Sequence, residues 1–224
     1  MITIKKLSII IAESALELIP KSESKKKRER RGINFSKLIL DVSNHQRIIR
    51  SMNKYEKRGR PDIIHTTLLF ILGSPLNLRG LIEIYIHTIK DYVIWINPQT
   101  RIPKNYNRFK GLMGKLFLEK EIVTNTTTLL KLTKKALREL INDLNCDKLF
   151  VLTEKGRYLN ALNFAKDIKE SINPCVIVGG FPHGDFSQEV YRLNASFVSI
   201  YPESLHTWVV IAKIISSIEG LLSI

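Results

Sequence analysis

Residues 7–12 (LSIIIA) form an apolar run rich in β-branched side chains, the composition of a strand buried on both faces. Residues 13–19 then read as a short helix ended by Pro20. Residues 37–42 (KLILDV) read as a second strand, and residues 44–52 (NHQRIIRSM) as a helix with Arg47 and Arg50 on its polar side. After Pro61, a residue suited to a first helical turn, apolar positions recur at helical spacing over 62–72. Over 81–96 the pattern changes to alternation. Ile82, Ile84 and Ile86 share one face, and a second run follows Lys90 and Asp91. This predicts a β-hairpin inserted into the α/β order over about residues 79–98.

Helical spacing returns over 105–121 and 128–144, the second through Leu130, Leu137, Leu140, Ile141 and Leu144. Strands at 147–152, 175–178 and 195–200 then alternate with helices at 160–172 and 205–222. Strand–helix alternation predicts a single α/β domain over 1–224, with a largely parallel sheet covered by helices on both faces.

Charge changes this picture. The 35 Lys and Arg outnumber the 21 Asp and Glu, for a net charge of +14. A balance of that size points to a polyphosphate partner, since each neutralised phosphate releases condensed counterions. Part of the excess is a basic segment at 21–32 (KSESKKKRERRG), a solvated loop or an RNA-backbone clamp. Cys146 and Cys175 are far apart without metal-ligand spacing, so neither a zinc site nor a disulfide framework is expected, and a reducing compartment is. The apolar runs are too short to cross a bilayer, and residues 1–20 carry Glu13 and Glu17 where a signal peptide would be apolar. A cytoplasmic protein with no membrane partner is expected.

Three segments carry candidate chemistry. In VGGFPHGDF, directly after a strand, Gly179, Gly180 and Gly184 permit tight turns and close backbone approach at the carboxyl end of the sheet. The spacing is neither a dinucleotide fingerprint nor a phosphate loop. In SIYPESLHTW, a strand ends near Ser199, Pro202 fixes the chain direction, and Ser204 is a candidate helix cap. In KRGRPDIIH and RIPKNYNRF, Arg101, Lys104 and Arg108 recur at spacings of three and four around Tyr106 and Phe109, a pattern that can hold phosphates and stack bases. Asp62 flanks Pro61 opposite Arg60, either orienting that guanidinium or acting as a general base. His65 and His183 receive no catalytic role.

Taken as a set, GRPDIIH, SPLN (Ser74 to Asn77), INPQTRIPKNYNRFKGLMGKLF, VGGFPHGDF and SIYPESLHTW closely resemble an archaeal member of the nucleolar essential protein one (EMG one) family. These are SPOUT-class methyltransferases acting on pseudouridine N1 in ribosomal RNA, and the resemblance runs from about Leu7 onward. It implies an α/β knot fold with a trefoil-knotted C-terminal half, a homodimer, and S-adenosylmethionine as cofactor with no metal. The implied cofactor contacts are Leu152 and Thr153, the glycines Gly179, Gly180 and Gly184, and the turn Ser199, Ile200, Tyr201, Pro202, Glu203, Ser204 and Leu205. The implied RNA contacts are Arg60, Arg101, Lys104 and Arg108, with Asp62 holding Arg60. Where some relatives carry Arg, position 104 is Lys, which keeps a charge contact but not a bidentate one.

The activity so implied is N1-methylation of a pseudouridine in small-subunit (16S-type) ribosomal RNA during small-subunit biogenesis, with ribosomal proteins as further candidate partners. Two alternatives stand beside it: a non-catalytic RNA-binding assembly factor, and a SPOUT enzyme acting on another RNA.

Overall fold

The computed structural model describes residues 4–20 and 38–224. The basic segment at 21–32 lies outside them. Among the described residues the strands are β1 (Leu7–Ser14), β2 (Ile82–Thr88), β3 (Tyr92–Ile96), β4 (Glu121–Thr124), β5 (Thr127–Lys134), β6 (Lys148–Tyr158), β7 (Pro174–Gly179) and β8 (Ser196–Ser199). They form one sheet in the order β4-β5-β3-β2-β1-β7-β6-β8. The five strands from β2 to β8 in that order are mutually parallel, and β3, β5 and β4 extend the sheet antiparallel.

The helices are α1 (Val42–Arg50), α2 (Pro61–Gly73), α3 (Pro75–Leu78), α4 (Tyr106–Glu119), α5 (Leu137–Leu144), α6 (Ala161–Lys169), α7 (Gln188–Tyr191) and α8 (Thr207–Leu222). Successive side chains of β1 divide between two cores, as the two-residue period of a strand requires. Ile9 and Ile11 pack with Ile64, Leu68, Phe109, Phe164 and Ile215 of the helices on one face. Ile10 and Ala12 pack with Leu137, Leu140, Phe186 and Val190 on the other. No helix among the described residues is long and apolar enough to cross a membrane.

Several expected elements differ. Residues 13–19 are not helical: β1 runs to Ser14, Glu13 adopts a left-handed φ of 50°, and Leu18 makes an isolated bridge to Ile39. The cause is burial of Glu13 and Glu17, whose carboxylates meet Lys57 and Arg58 rather than solvent. The second strand at 37–42 reduces, within the described residues, to that one bridge, because Asp41 instead caps α1 through Ser43 N–H. The expected hairpin is present at 82–96, but it belongs to the main sheet, since β2 also pairs in parallel along β1. Residues 127–134 form a strand where a helix was expected. Leu130 and Leu132 are buried and Lys131 exposed, an alternation that helical spacing from Leu130 to Leu137 masks. Cys146 and Cys175 form a disulfide, Cα atoms 5.7 Å apart, tying the segment before β6 to β7. Parallel pairing brings together two cysteines that sequence separation kept apart.

Candidate functional site

The carboxyl ends of β7 and β8, with β6 where its parallel run along β7 ends at Leu152, open into a cavity of 430 Å³, within the roughly 300–1,000 Å³ of small-molecule sites. Open parallel sheets place ligands there because strand ends and following loops leave backbone groups free. Ile63, Leu152, Val178, Phe186 and Val198 supply apolar wall, while Thr153, Glu154, Asp185, Glu203 and the turn at Ser204 supply polar groups.

Most expected cofactor contacts line this cavity: Leu152, Thr153, Gly179, Gly184, Ser199, Ile200, Tyr201, Glu203, Ser204 and Leu205. Gly180 and Pro202 do not. Gly180 donates its N–H to Ala12 O and accepts from Ala15 N–H, so both its backbone groups are used in holding the loop to β1. A Cβ there would lie 2.8 Å from Ile11 Cγ2 and from Ser14 Oγ, so close packing explains the glycine. Gly184, at φ +90°, faces Lys57 and Glu56 through its missing Cβ. Ser204 caps no helix: α8 starts at Thr207, whose Oγ1 donates to Gly179 O at 2.7 Å and joins that helix to the end of β7.

Sequence reasoning missed the groups that fix the rim. Asp185 accepts from Lys155 Nζ at 2.5 Å and from Tyr191 OH at 2.6 Å. Burial pushes its pKa up, but Lys155, Tyr191 and the Phe186 N–H outweigh it and hold the carboxyl below its ordinary value. Gly156 was also missed, though an isolated glycine in a strand pattern often marks close backbone approach. Val198 of β8 pairs with both Leu152 and Arg157 of β6, so residues 153–156 bulge around it. A Cβ on Gly156 would lie 2.4 Å from Val198 N.

Arg60 also lines the cavity, from the N-terminus of α2. Its Nε donates to Asp62 Oδ1 at 2.9 Å and its Nη2 to Oδ2 at 2.8 Å, a bidentate pair on two partly exposed side chains. That hydrogen bonding raises the Arg60 pKa further, so the guanidinium is permanently charged. Asp62 itself does not reach the cavity wall.

The segment carrying Arg101 and Lys104 docks on α2, where the His65 Nε2–H donates to Pro103 O at 2.8 Å and the ring stacks on Phe109 at 4.5 Å. Arg101, Lys104 and Arg108 are exposed, and none makes a side-chain hydrogen bond or ion pair with another described residue. The interleaved aromatics are not free to stack on bases as the pattern suggested. Phe109 is fully buried, and the half-buried Tyr106 donates its hydroxyl to Asp41 at 3.0 Å. Asp41 also takes Lys110 Nζ at 2.5 Å, so this acid fixes α1 to the start of α4.

The family model described as EMG1/NEP1 methyltransferase matches residues 9–219. "Ribosomal RNA small subunit methyltransferase Nep1" of Pyrococcus furiosus is 42% identical over 96% of this chain and 97% of its own length. The protein of that name from Staphylothermus marinus is 40% identical over 97% of each. In three dimensions the chain is similar to Archaeoglobus fulgidus Nep1 solved with S-adenosylhomocysteine, at a TM-score of 0.85 and 34% identity, covering 98% of this chain and all of that one. A family match spanning nearly the whole chain, with the cavity and Arg60 pair in the expected segments, settles the relationship: the chain belongs to the EMG1/NEP1 methyltransferase family.

Proposed function

We propose that this chain uses S-adenosylmethionine to methylate N1 of a pseudouridine in small-subunit ribosomal RNA, acting in the cytoplasm as a homodimer during small-subunit assembly. The observation that carries the reading is the cavity where three parallel strand runs end, with Arg60 in its wall, in a chain whose relative is solved with the demethylated cofactor product. The fit of the cofactor rests on the cavity itself: an apolar floor suits an adenine ring, and Glu154 and Glu203 at its edge suit a cationic ligand. The C-terminal half is proposed to thread as the family's trefoil knot, on the double pairing of Val198.

When bound, the cofactor supplies a methyl carbon already activated by the neighbouring sulfonium charge. What remains for the protein is to hold the RNA base in position, which alone can account for a large share of a rate. Both Asp62 oxygens are engaged by Arg60, so Asp62 acts as the group that aims the guanidinium, and Nη1 of Arg60 is left to contact RNA. With both oxygens so occupied, Asp62 is not the group that takes the N1 proton. The N1 proton therefore passes to water. Arg101, Lys104 and Arg108, lacking partners, hold phosphates, and the cavity walls keep bulk water from the methyl donor.

Methyl transfer to a short small-subunit RNA hairpin tests this directly. Labelled product is expected with pseudouridine at the target position and none with uridine; equal labelling of both removes the substrate assignment. Light scattering at micromolar concentration should give twice the chain mass, and a monomer mass removes the dimer. The supporting observation there is the half-exposed apolar face of α8 at Trp208, Val209 and Val210.

A further inference from the structure

Glu13 and Lys57 lie outside the cavity and neither was assigned a role from sequence, Lys57 only opening the segment KRGRPDIIH, yet both are almost completely buried. Lys57 Nζ meets Glu13 Oε2 at 2.6 Å, and Glu13 Oε1 accepts the N–H of Ser187 at 3.0 Å. Lys57 Nζ sits 4.3 Å from the Phe181 ring centroid, and its Cε is the nearest atom to the missing Cβ of Gly184, at 3.4 Å. The pair thus touches the loop 181–187 at its beginning, middle and end. Phe181, Gly184 and Phe186 of that loop form cavity wall.

The backbone gives an independent observation. Glu13 has a left-handed φ of 50° inside β1, where the register against β2 shifts between Ile11 and Ser14. A side chain other than glycine held there carries strain that surrounding contacts must overcome, and such residues gather at ligand clamps. Burying two charges gives a fold little net stability compared with an apolar pair, whereas it fixes geometry and register.

We propose that Glu13 and Lys57 are positioning residues for the cofactor site: their ion pair holds the loop 181–187 in the shape that completes the cavity. Neither touches the cofactor; they act through Phe181, Gly184 and Ser187. The inference rests on the cofactor reading given above.

The test is calorimetric titration of the full chain with S-adenosylhomocysteine, alongside E13Q, K57M, K57R and the double variant E13Q/K57M. The native chain should bind. E13Q and K57M should each weaken binding by roughly tenfold or more, K57R should recover most of the K57M loss, and the double variant should lose clearly less than the product of the two single losses, as coupled partners do. RNA-hairpin affinity, which depends on Arg101, Lys104 and Arg108, should stay within about twofold, and KM for S-adenosylmethionine should rise while kcat stays within about twofold. If the single variants do not fold because one buried charge is left alone, the double variant, which leaves none, carries the test through a weakened cofactor affinity at native RNA affinity. A native chain that does not bind removes the cofactor reading and this inference with it. Variants that bind like a binding native chain, or that lose cofactor and RNA affinity in parallel with thermal stability, overturn the inference alone.

Discussion

Replacing Gly156 by Ala tests the packing on which the cavity rim depends. The added Cβ would lie 2.4 Å from Val198 N and 2.6 Å from Phe197 C and Val198 C, all backbone atoms of β8. Ordinary contact begins near 3.4 Å, so the two segments must separate by about 1 Å. No side-chain rotation relieves this. The separation strains the second pairing of β6, where Arg157 faces Val198 and Tyr158 faces Ser199, and the Leu159 N–H bond to Ser199 O at 2.8 Å. Overpacking costs about 1–3 kcal/mol and each weakened backbone hydrogen bond about 1 kcal/mol. Against that, Ala reduces the entropy of the unfolded chain by about 0.4–1 kcal/mol. Packing wins, with a net loss of about 2–4 kcal/mol.

In a chain of this size that loss lowers the melting midpoint by roughly 4–16 °C. Because Leu152 and Thr153 line the cavity three or four residues before Gly156, S-adenosylhomocysteine affinity should fall with it. Calorimetric melting with and without the ligand measures both. A variant that melts within about 1 °C of native and binds the ligand equally refutes the close approach of residue 156 to β8.

Four further outcomes are expected. Breaking the Cys146–Cys175 disulfide, whose cysteines are 29 residues apart, should cost about 3–4 kcal/mol on loop entropy, read as a lower midpoint under reductant or in C146S/C175S. Burial pushes the His87 pKa below its ordinary 6.5, so the unfolded chain protonates first and stability declines as pH falls below 6.5; H87Q should flatten that limb in urea titrations. Burial pushes the pKa values of Glu13 and Asp41 up, but their hydrogen bonds and ion pairs outweigh it and hold both carboxyls below their ordinary values. Their stabilisation is complete above 4.5 and 3.8 and is lost as pH falls through their lower folded values, giving a second, acid limb that E13Q reduces. Alanine at Arg101, Lys104 or Arg108 should weaken RNA binding by about 1–3 kcal/mol where the contact is directional, or reduce the salt slope where it is to phosphate, at unchanged cofactor affinity; native RNA binding by all three removes that face.

The sequence was legible where one periodicity or one motif decided the matter. Pro61 and the helical pattern behind it placed α2 to within a residue, and the glycine loop and Ser199 turn marked most of the cavity. It was misleading where a local pattern competed with a distant partner. Residues 13–19 have a helix's spacing, but Lys57, Arg58 and Lys90 draw the carboxylates of Glu13 and Glu17 inward. Phe109 sits among basic residues and looked available to a base, yet its ring fills the space against His65. Gly156 carried the one mark that sequence offers, a glycine in a strand, without the partner that gives it meaning.

Four acids of this basic protein gather in one region of the fold. Glu13 takes Lys57, Glu17 takes Arg58 and Lys90, Asp41 takes Lys110, and Asp62 takes Arg60. All of these acids lie in or just beyond β1 and around α1 and the start of α2, the elements that support one side of the cavity and the docked segment 101–108. Each fixes a particular cation, by burial in the first three cases and by a bidentate geometry in the last. The RNA face proposed above is made of exposed cations that none of these acids takes: Arg101, Lys104 and Arg108. Asp62 marks the boundary between the two groups, being partly exposed, so removing it should cost little stability, under about 1 kcal/mol. It should nonetheless release Arg60 to many rotamers, so D62A should resemble R60A in RNA affinity. If D62A instead binds RNA like the native chain but slows single-turnover methylation, Asp62 is a base and its bond to Arg60 must open during the reaction.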